Sequence, residues 1–414
     1  MHSKVQNFKS NYFFIGNFVL LAFVSVTLVM SSTALASDDF YTSPNLLPSN
    51  NGDLIKQERS DFFLDPLRAI SVQADVFKIM YKSTNHDNAS IAVTGTVIVP
   101  YKHWHRGPRP LVAYAVGTQG LADRCAPSRQ LAAGSEYEGV FIAGLIARGY
   151  AVVVTDYEGL GTEGVHTYIN RESAGRTVLD SLRAAQQLGH IDIPAAGPVA
   201  ISGYSQGGGA AASAAELAPS YAPELDLKGV VAGAVPSDLA LTAKSLDGSF
   251  FGAFVGYAMA GLRASYDLDF SRILNKRGLR TLKKLERQCL QESVLSFPFL
   301  DTKKLTLSGQ DLNDIINTDS QINQLVQEQV IGQKRRPKVP VLLTHSVLDD
   351  VIPYKAGRDL ARRWCRQGAD VQFASSIVPT HIGGAIPSYA KAFRFLERRM
   401  SGKRFRSQCW TLRF

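Results

Sequence analysis

The chain has 414 residues, of which 45% are hydrophobic and 20% charged, and its 45 Lys and Arg exceed its 36 Asp and Glu by nine. Those fractions are ordinary for a folded domain and exclude a disordered or collagen-like polymer, while the length allows one large α/β unit or two smaller ones. The positive balance carries no nucleic-acid recognition motif, and neither a glycine-rich phosphate loop nor an HExxH helix occurs, so no nucleic-acid partner, no cofactor and no metal are implied.

The first segment is not part of the fold. Lys4 and Lys9 precede an almost wholly apolar run from Phe13 to Met30, and Ala34-Leu35-Ala36 is a small-x-small cleavage site. The apolar run is near the lower length for a membrane span, but the cleavage site and the polar Ser37-Asp38-Asp39 after it favour a signal peptide over residues 1–36. No Cys follows the site, so a lipidated anchor is not expected. The remainder is then exported to the periplasm or the medium.

His86, His103 and His105 lie in polar stretches and read as surface residues. A buried strand is expected over 110–117 (PLVAYAVG), leading into the loop GTQGLADRCAPS (117–128). DYEGLGTEG (156–164) reads as a strand-end turn that shapes a pocket without taking part in chemistry, with His166 just beyond it. His190 ends a helix, where a cation suits the dipole.

The most informative stretch follows. An apolar run, AGPVAISG (196–203), leads into Gly203-Tyr204-Ser205-Gln206-Gly207, and then into a small-residue helix. A G-x-S-x-G pentapeptide between strand and helix is a nucleophile elbow. The turn is so tight that the flanking positions exclude a Cβ, and it lifts the serine hydroxyl above the sheet at a helix N-terminus, where developing negative charge is favoured. Such a serine needs a base, and the base an orienting acid.

Both are available downstream in the order Ser, Asp, His. The strand Pro340–His345 runs into SVLDDVIP, where Asp349 has the acid's spacing and Asp350 is one residue out of phase, a solvated carboxylate or a helix-start residue. A helix (YKAGRDLARRWC) and a strand (370–374) follow, and His381 lies in the loop after that strand, flanked by Gly383 and Gly384. His345, at a strand end, reads as a packing or loop-shaping residue. The first oxyanion donor is then the Gln206 N–H. The second comes from the loop after strand 110–117, with Thr118 preferred and Gly117 and Gln119 as neighbours.

Between the strand KGVVAGAV (228–235) and the acid-bearing strand, about a hundred residues interrupt the βα rhythm, far beyond an ordinary connection. They hold FFGAFVGYAMAGL and the basic amphipathic RILNKRGLRTLKKLERQCL. The expected organisation is a core over 37–235, a helical cap over 236–336, and the rest of the core over 337–414.

GTQGLADRCAPS, DYEGLGTEG, GYSQGG (203–208), THSVLDDVIPY (344–354), the run from Trp364 to Phe373, and His381 together resemble the secretory lipase family of α/β-hydrolases, a group that includes the fungal lipase A type and related bacterial lipases and esterases. The resemblance implies an α/β-hydrolase fold: a mostly parallel central sheet flanked by helices, with an inserted cap. It implies Ser205 as nucleophile, Asp349 as acid and His381 as base of a secreted serine ester hydrolase. It also admits an acidic residue near the oxyanion loop, which brings in Asp123; otherwise Asp123 is a loop residue paired with Arg124. Many hydrolases open this loop with His-Gly, whereas here it is Val116-Gly117-Thr118.

Cys125, Cys289, Cys365 and Cys409 show no C-x-x-C pattern, and in an exported chain their even number points to disulfides. Three pairings are open from the spacing; the resemblance implies Cys125–Cys289 and Cys365–Cys409. The expected partner is an ester or lipid substrate, handled by a monomer. The basic runs near RRWCRQ and the C-terminal tail are a solvated surface, or else draw the protein transiently to anionic lipid or cell-wall surfaces. Two other functions share these features: an acyltransferase using the same three residues, and a non-catalytic hydrolase-fold binding protein, against which the intact Ser–Asp–His order speaks.

Overall fold

The computed structural model describes residues 39–189 and 191–412. The signal-peptide segment 1–36 lies outside them, as do His2 and His190. Among the described residues nine strands form one sheet in the order β1-β2-β3-β5-β4-β6-β7-β8-β9. Strands β1 (Leu54–Arg59), β2 (Ala74–Thr84) and β3 (Ser90–Pro100) make an antiparallel meander, and β3 joins β5 (Ala151–Thr155) antiparallel. From β5 onward every neighbour is parallel, through β4 (Leu111–Ala115), β6 (Val199–Tyr204), β7 (Leu227–Gly233), β8 (Val341–Ser346) and β9 (Val371–Ser376). Strands β4, β5, β6 and β8 are buried at every position, because helices cover both faces, and that is why β4 and β5 read as apolar runs rather than as alternation.

The flanking helices are α1 (Pro127–Ala133), α2 (Gly139–Ala147), α3 (Arg171–Gln186) and α4 (Gln206–Tyr221). Asn170 starts α3 by accepting the Ser173 N–H with its side chain. The alanine run of α4 lets α3 come close: a Cβ on Gly175 of α3 would sit 2.9 Å from the Ala214 backbone nitrogen. Small residues in α4 thus set the spacing of the layer directly behind the elbow.

Between β7 and β8 the chain forms α5 (Leu239–Leu246), α6 (Ala253–Tyr266), α7 (Lys276–Leu285), α8 (Leu290–Ser296), α9 (Leu312–Thr318) and α10 (Ser320–Glu328). Side chains of Asp238, Asn275, Asp311 and Asp319 accept first-turn N–H groups of α5, α7, α9 and α10. In α7, Leu282 and Leu285 are buried while the basic face points outward, so the amphipathic pattern has its usual cause. These helices share a core of Leu246, Val255, Tyr257, Leu285, Ile315 and Val326 that also takes in Leu121, Tyr168, Val351 and Ile352 from loops of the main sheet. Each such side chain contributes about 1.5–3 kcal/mol when buried, so the insert is held against those loops by burial. His86, read as a surface residue, instead packs its ring 4.5 Å from that of Tyr266 on α6.

The chain closes with α11 (Tyr354–Arg366), α12 (His381–Met400) and α13 (Cys409–Leu412). Disulfides join Cys125 to Cys289 and Cys365 to Cys409, the pairing the resemblance implies. The first ties the insert to the loop after β4, and a two-bond backbone bridge between Gly120 and Cys289 reinforces it. In that bridge Leu121 N–H donates to Gln288 O and Leu290 N–H donates to Gln119 O. The second fixes α13 to α11.

Candidate active site

Strand β6 hands over to α4 at Ser205, whose φ of 61° and ψ of −123° lie outside the ordinary L-residue regions. The strain persists because the surroundings leave no room to relax. A Cβ on Gly203 would lie 2.2 Å from Gly207 O, and one on Gly207 would lie 1.9 Å from Ala115 O. Ser205 N–H donates to Gly233 O at the end of β7. The result is a hydroxyl carried at the N-terminus of α4, over the carboxyl ends of the parallel strands.

Asp349 sits just past β8. Its Oδ1 accepts the Val351 and Ile352 N–H groups at 2.9 and 2.8 Å, and its Oδ2 lies 2.8 Å from His381 Nδ1. Burial pushes this carboxyl up, but the bond from His381 and the backbone donors outweigh it, and the group is held below the ordinary carboxylate range. His381 Nε2 is buried with no hydrogen-bond partner among the described residues. Tyr204, the residue before Ser205, donates its hydroxyl to His381 O at 2.7 Å, and the two rings lie 5.0 Å apart. The imidazole is thereby seated against the elbow.

His381, expected in a loop flanked by Gly383 and Gly384, instead opens α12, a 20-residue helix that contains Pro387. Gly384 is needed there for close approach, since a Cβ would sit 3.0 Å from Tyr204 Oη and from Ser346 Cβ. Asp350 is exposed, yet its Oδ1 accepts the His381 N–H at 2.7 Å, so it braces the start of α12 instead of standing free or beginning α11. His345 is fully buried beside Asp349; its Nε2 lies 3.0 Å from Ile352 O, and burial lowers its pKa, so the neutral ring shapes the acid loop.

The loop after β4 is more constrained than its sequence reveals. Gly117 N–H is taken by Glu138 Oε2 at 2.6 Å, which removes Gly117 from the possible oxyanion donors. Thr118 is buried, with its hydroxyl 2.7 Å from Tyr168 Oη and its carbonyl accepting from Tyr137 Oη at 3.1 Å. Gln206, first residue of α4, has one of the N–H groups that α4 leaves unpaired. Asp123 is not paired with Arg124: it accepts the Gly161 N–H at 3.2 Å, while Arg124 bonds Glu292.

Behind this loop lies a cluster that nothing local in the sequence marks. Glu138 Oε1 accepts from Tyr389 Oη, which in turn bonds Tyr114 Oη. Glu136 Oε1 accepts from Gln119 Nε2 and from the Glu138 N–H, each at 3.1 Å, and its Oε2 is buried without a partner among the described residues. Burial raises Glu138 to about 7; burial and the neighbouring Glu138 charge raise Glu136 to about 8. The only available signal was the Glu-Tyr-Glu spacing before an apolar helix, which does not distinguish a buried pair from a solvated turn.

Lipase A of Moesziomyces aphidis is 28% identical over 397 residues, covering 90% of this chain and 82% of that protein. A secreted triacylglycerol lipase of Malassezia furfur is 27% identical over 81% of this chain and 70% of its own length. The closed-state structure of Candida antarctica lipase A superposes with a TM-score of 0.80 at 26% identity, covering 92% of this chain and 90% of that one. The rice cell wall degrading esterase LipA from Xanthomonas oryzae shares the fold, with a TM-score of 0.70 at 20% identity over 86% of this chain and all of that one. The sheet order and elbow are those of an α/β-hydrolase, the relatives make the protein an ester hydrolase of the lipase and esterase class, and the family model for secretory lipases matches residues 126–407, so the chain belongs to the secretory lipase family.

Proposed function

We propose that the protein hydrolyses carboxylic esters, triacylglycerols among them, through an acyl-enzyme on Ser205. His381 takes the hydroxyl proton as Ser205 Oγ attacks the ester carbonyl carbon. Asp349 holds the imidazole with its proton on Nδ1 and stabilises the imidazolium. The carbonyl oxygen, now negative, is received by the Gln206 and Thr118 backbone N–H groups. Collapse expels the alcohol, which leaves with the proton from His381. Water, activated by the same imidazole, then releases the acid and restores the serine.

The observation that carries this reading is the wiring of His381. Its Nδ1 is bound to Asp349, and its Nε2 is buried and unpartnered beside a strained serine elbow. A buried imidazole nitrogen without a partner is costly unless a reacting group uses it. The insert over 236–336 acts as the cap, anchored to the oxyanion loop by Cys125–Cys289. Residues 1–36 serve as the export signal, consistent with a secretory family and with disulfides, which persist in oxidising compartments.

The test is covalent labelling with a fluorophosphonate, followed by peptide mapping. The adduct belongs on Ser205; an adduct on another serine, or none in an active preparation, overturns the reading. Rates on p-nitrophenyl esters of increasing acyl length, with and without dispersed triglyceride, then define the acyl preference.

A further inference from the structure

The loop between β5 and α3 makes three separate contacts with the parts that would hold the oxyanion. Tyr157, at a φ of 67°, donates its hydroxyl to Val116 O at 2.9 Å, at the root of the oxyanion loop. His166 Nδ1 lies 2.8 Å from Glu158 O, and a carbonyl can only accept, so that nitrogen carries the proton. The other nitrogen, Nε2, is therefore bare and accepts from Gln206 Nε2 at 2.9 Å. Tyr168 Oη meets Thr118 Oγ1 at 2.7 Å. Burial lowers the His166 pKa to about 4, which keeps the ring neutral and its acceptor available.

We propose that His166 and Tyr168 are positioning residues for the oxyanion hole: from one loop they grip Gln206 and Thr118, and so set the separation of the two N–H donors. The inference rests on the Ser205 reading above. It gives a physical role to a turn whose sequence suggested only pocket shape. The rings of the loop form a row, with Tyr157 and His166 centred 5.8 Å apart and His166 and Tyr168 5.9 Å apart. The row ends on the cap, where Tyr168 meets Tyr257 at 5.6 Å and lies so close to α6 that a Cβ on Gly261 would fall 2.4 Å from Tyr168 O. Two donors that must converge on one oxygen come from different strands' ends, β4 and β6. A rigid brace across the gap is what such a geometry requires, because displacements of about 1 Å can cost on the order of a hundredfold in rate.

The experiment compares Tyr168→Phe, which removes one oxygen, and His166→Phe, which keeps the ring and removes the acceptor, with the parent full-length secreted enzyme. Turnover of a p-nitrophenyl ester is measured together with inhibition by an alkyl trifluoromethyl ketone, whose serine adduct places an oxyanion in the hole. We expect kcat to fall roughly 10- to 100-fold with KM changed less than about twofold. The inhibition constant should rise by the same factor as kcat falls. His166→Gln, whose amide oxygen can accept from Gln206, should recover part of the loss. Unchanged kcat and inhibition in folded variants overturns the proposal, as does a rise in KM alone, which would assign the loop to substrate binding. If His166→Phe fails to fold, Tyr168→Phe decides by the same criteria. A fluorophosphonate adduct on Ser205 of the parent keeps the two readings apart. With the adduct present and the variants silent, only the brace fails; with the adduct elsewhere, the serine assignment fails.

Discussion

Glu136 makes stability depend on pH in a direction opposite to that of most carboxylates, and Glu136→Gln isolates the effect. Its carboxyl is buried, Oε2 has no partner among the described residues, and the Glu138 carboxylate is a close neighbour. Burial and that neighbour raise its pKa from 4.5 to about 8. A carboxyl whose pKa is higher in the folded state binds a proton more tightly there than in the unfolded chain. Its contribution is fully present below the unfolded value near 4.5 and is lost as pH rises through about 8. At about 1.4 kcal/mol per pH unit, that interval is worth roughly 5 kcal/mol. Glutamine keeps the shape and the Oε1 bonds to Gln119 and the Glu138 N–H while never ionising. Denaturant unfolding with disulfides intact, at several pH values between 5 and 8.5, should give a parent whose stability falls across the range and a variant whose curve is flatter by several kcal/mol. His166 acts at the other end: burial lowers its pKa to about 4, so its share is lost as pH drops below the ordinary 6.5, and both proteins carry that loss equally. Parallel curves for parent and variant between pH 5 and 8.5 would refute a proton held on Glu136 by burial.

Ser205→Ala should abolish ester hydrolysis and fluorophosphonate labelling while leaving the melting temperature within a few degrees; labelling that survives in the variant sinks the nucleophile assignment. Asp349→Asn should lower kcat by roughly ten-thousand-fold, the loss typical of a triad held in the wrong tautomer. Asp350→Asn should lose far less, because an amide oxygen can still accept the His381 N–H; the reverse ranking would show the acid to be Asp350. Cys289→Ser opens a bond that spans 164 residues, which should cost about 2–4 kcal/mol of stability. It should also lower turnover and shift the acyl-length preference, since the same bond fixes the insert to the loop bearing Thr118. A variant that melts earlier but turns over each ester like the parent would separate the bond from catalysis.

Local sequence was enough for features set by short-range sterics and by periodicity. The Gly203–Gly207 pentapeptide between an apolar run and a small-residue helix specifies a sharp strand–helix turn, because only glycine fits beside Ala115 O and Gly207 O. The long break in the βα rhythm marked the insert, since its length alone exceeds a connection. The order of Asp349, a helix, a strand and His381 follows from one parallel βαβ unit, whose handedness leaves little choice in where the two loops fall. The antiparallel meander β1–β3 was not legible, because β2 and β3 are covered over much of both faces and lack clean alternation. His381 was misread as a loop residue because Gly383 and Gly384 are breakers locally, whereas in the fold Asp350 and Thr380 satisfy the first turn of α12 and Gly384 lets it press on Tyr204. That the Gly117 amide is taken was decided by Glu138, 21 residues away, and the contact on the Gln206 side chain by His166, 40 residues away. The acidity of Glu136 is likewise a sum over neighbours from several distant elements. Desolvation and hydrogen-bond satisfaction depend on what the fold brings together, and no window of sequence contains that information.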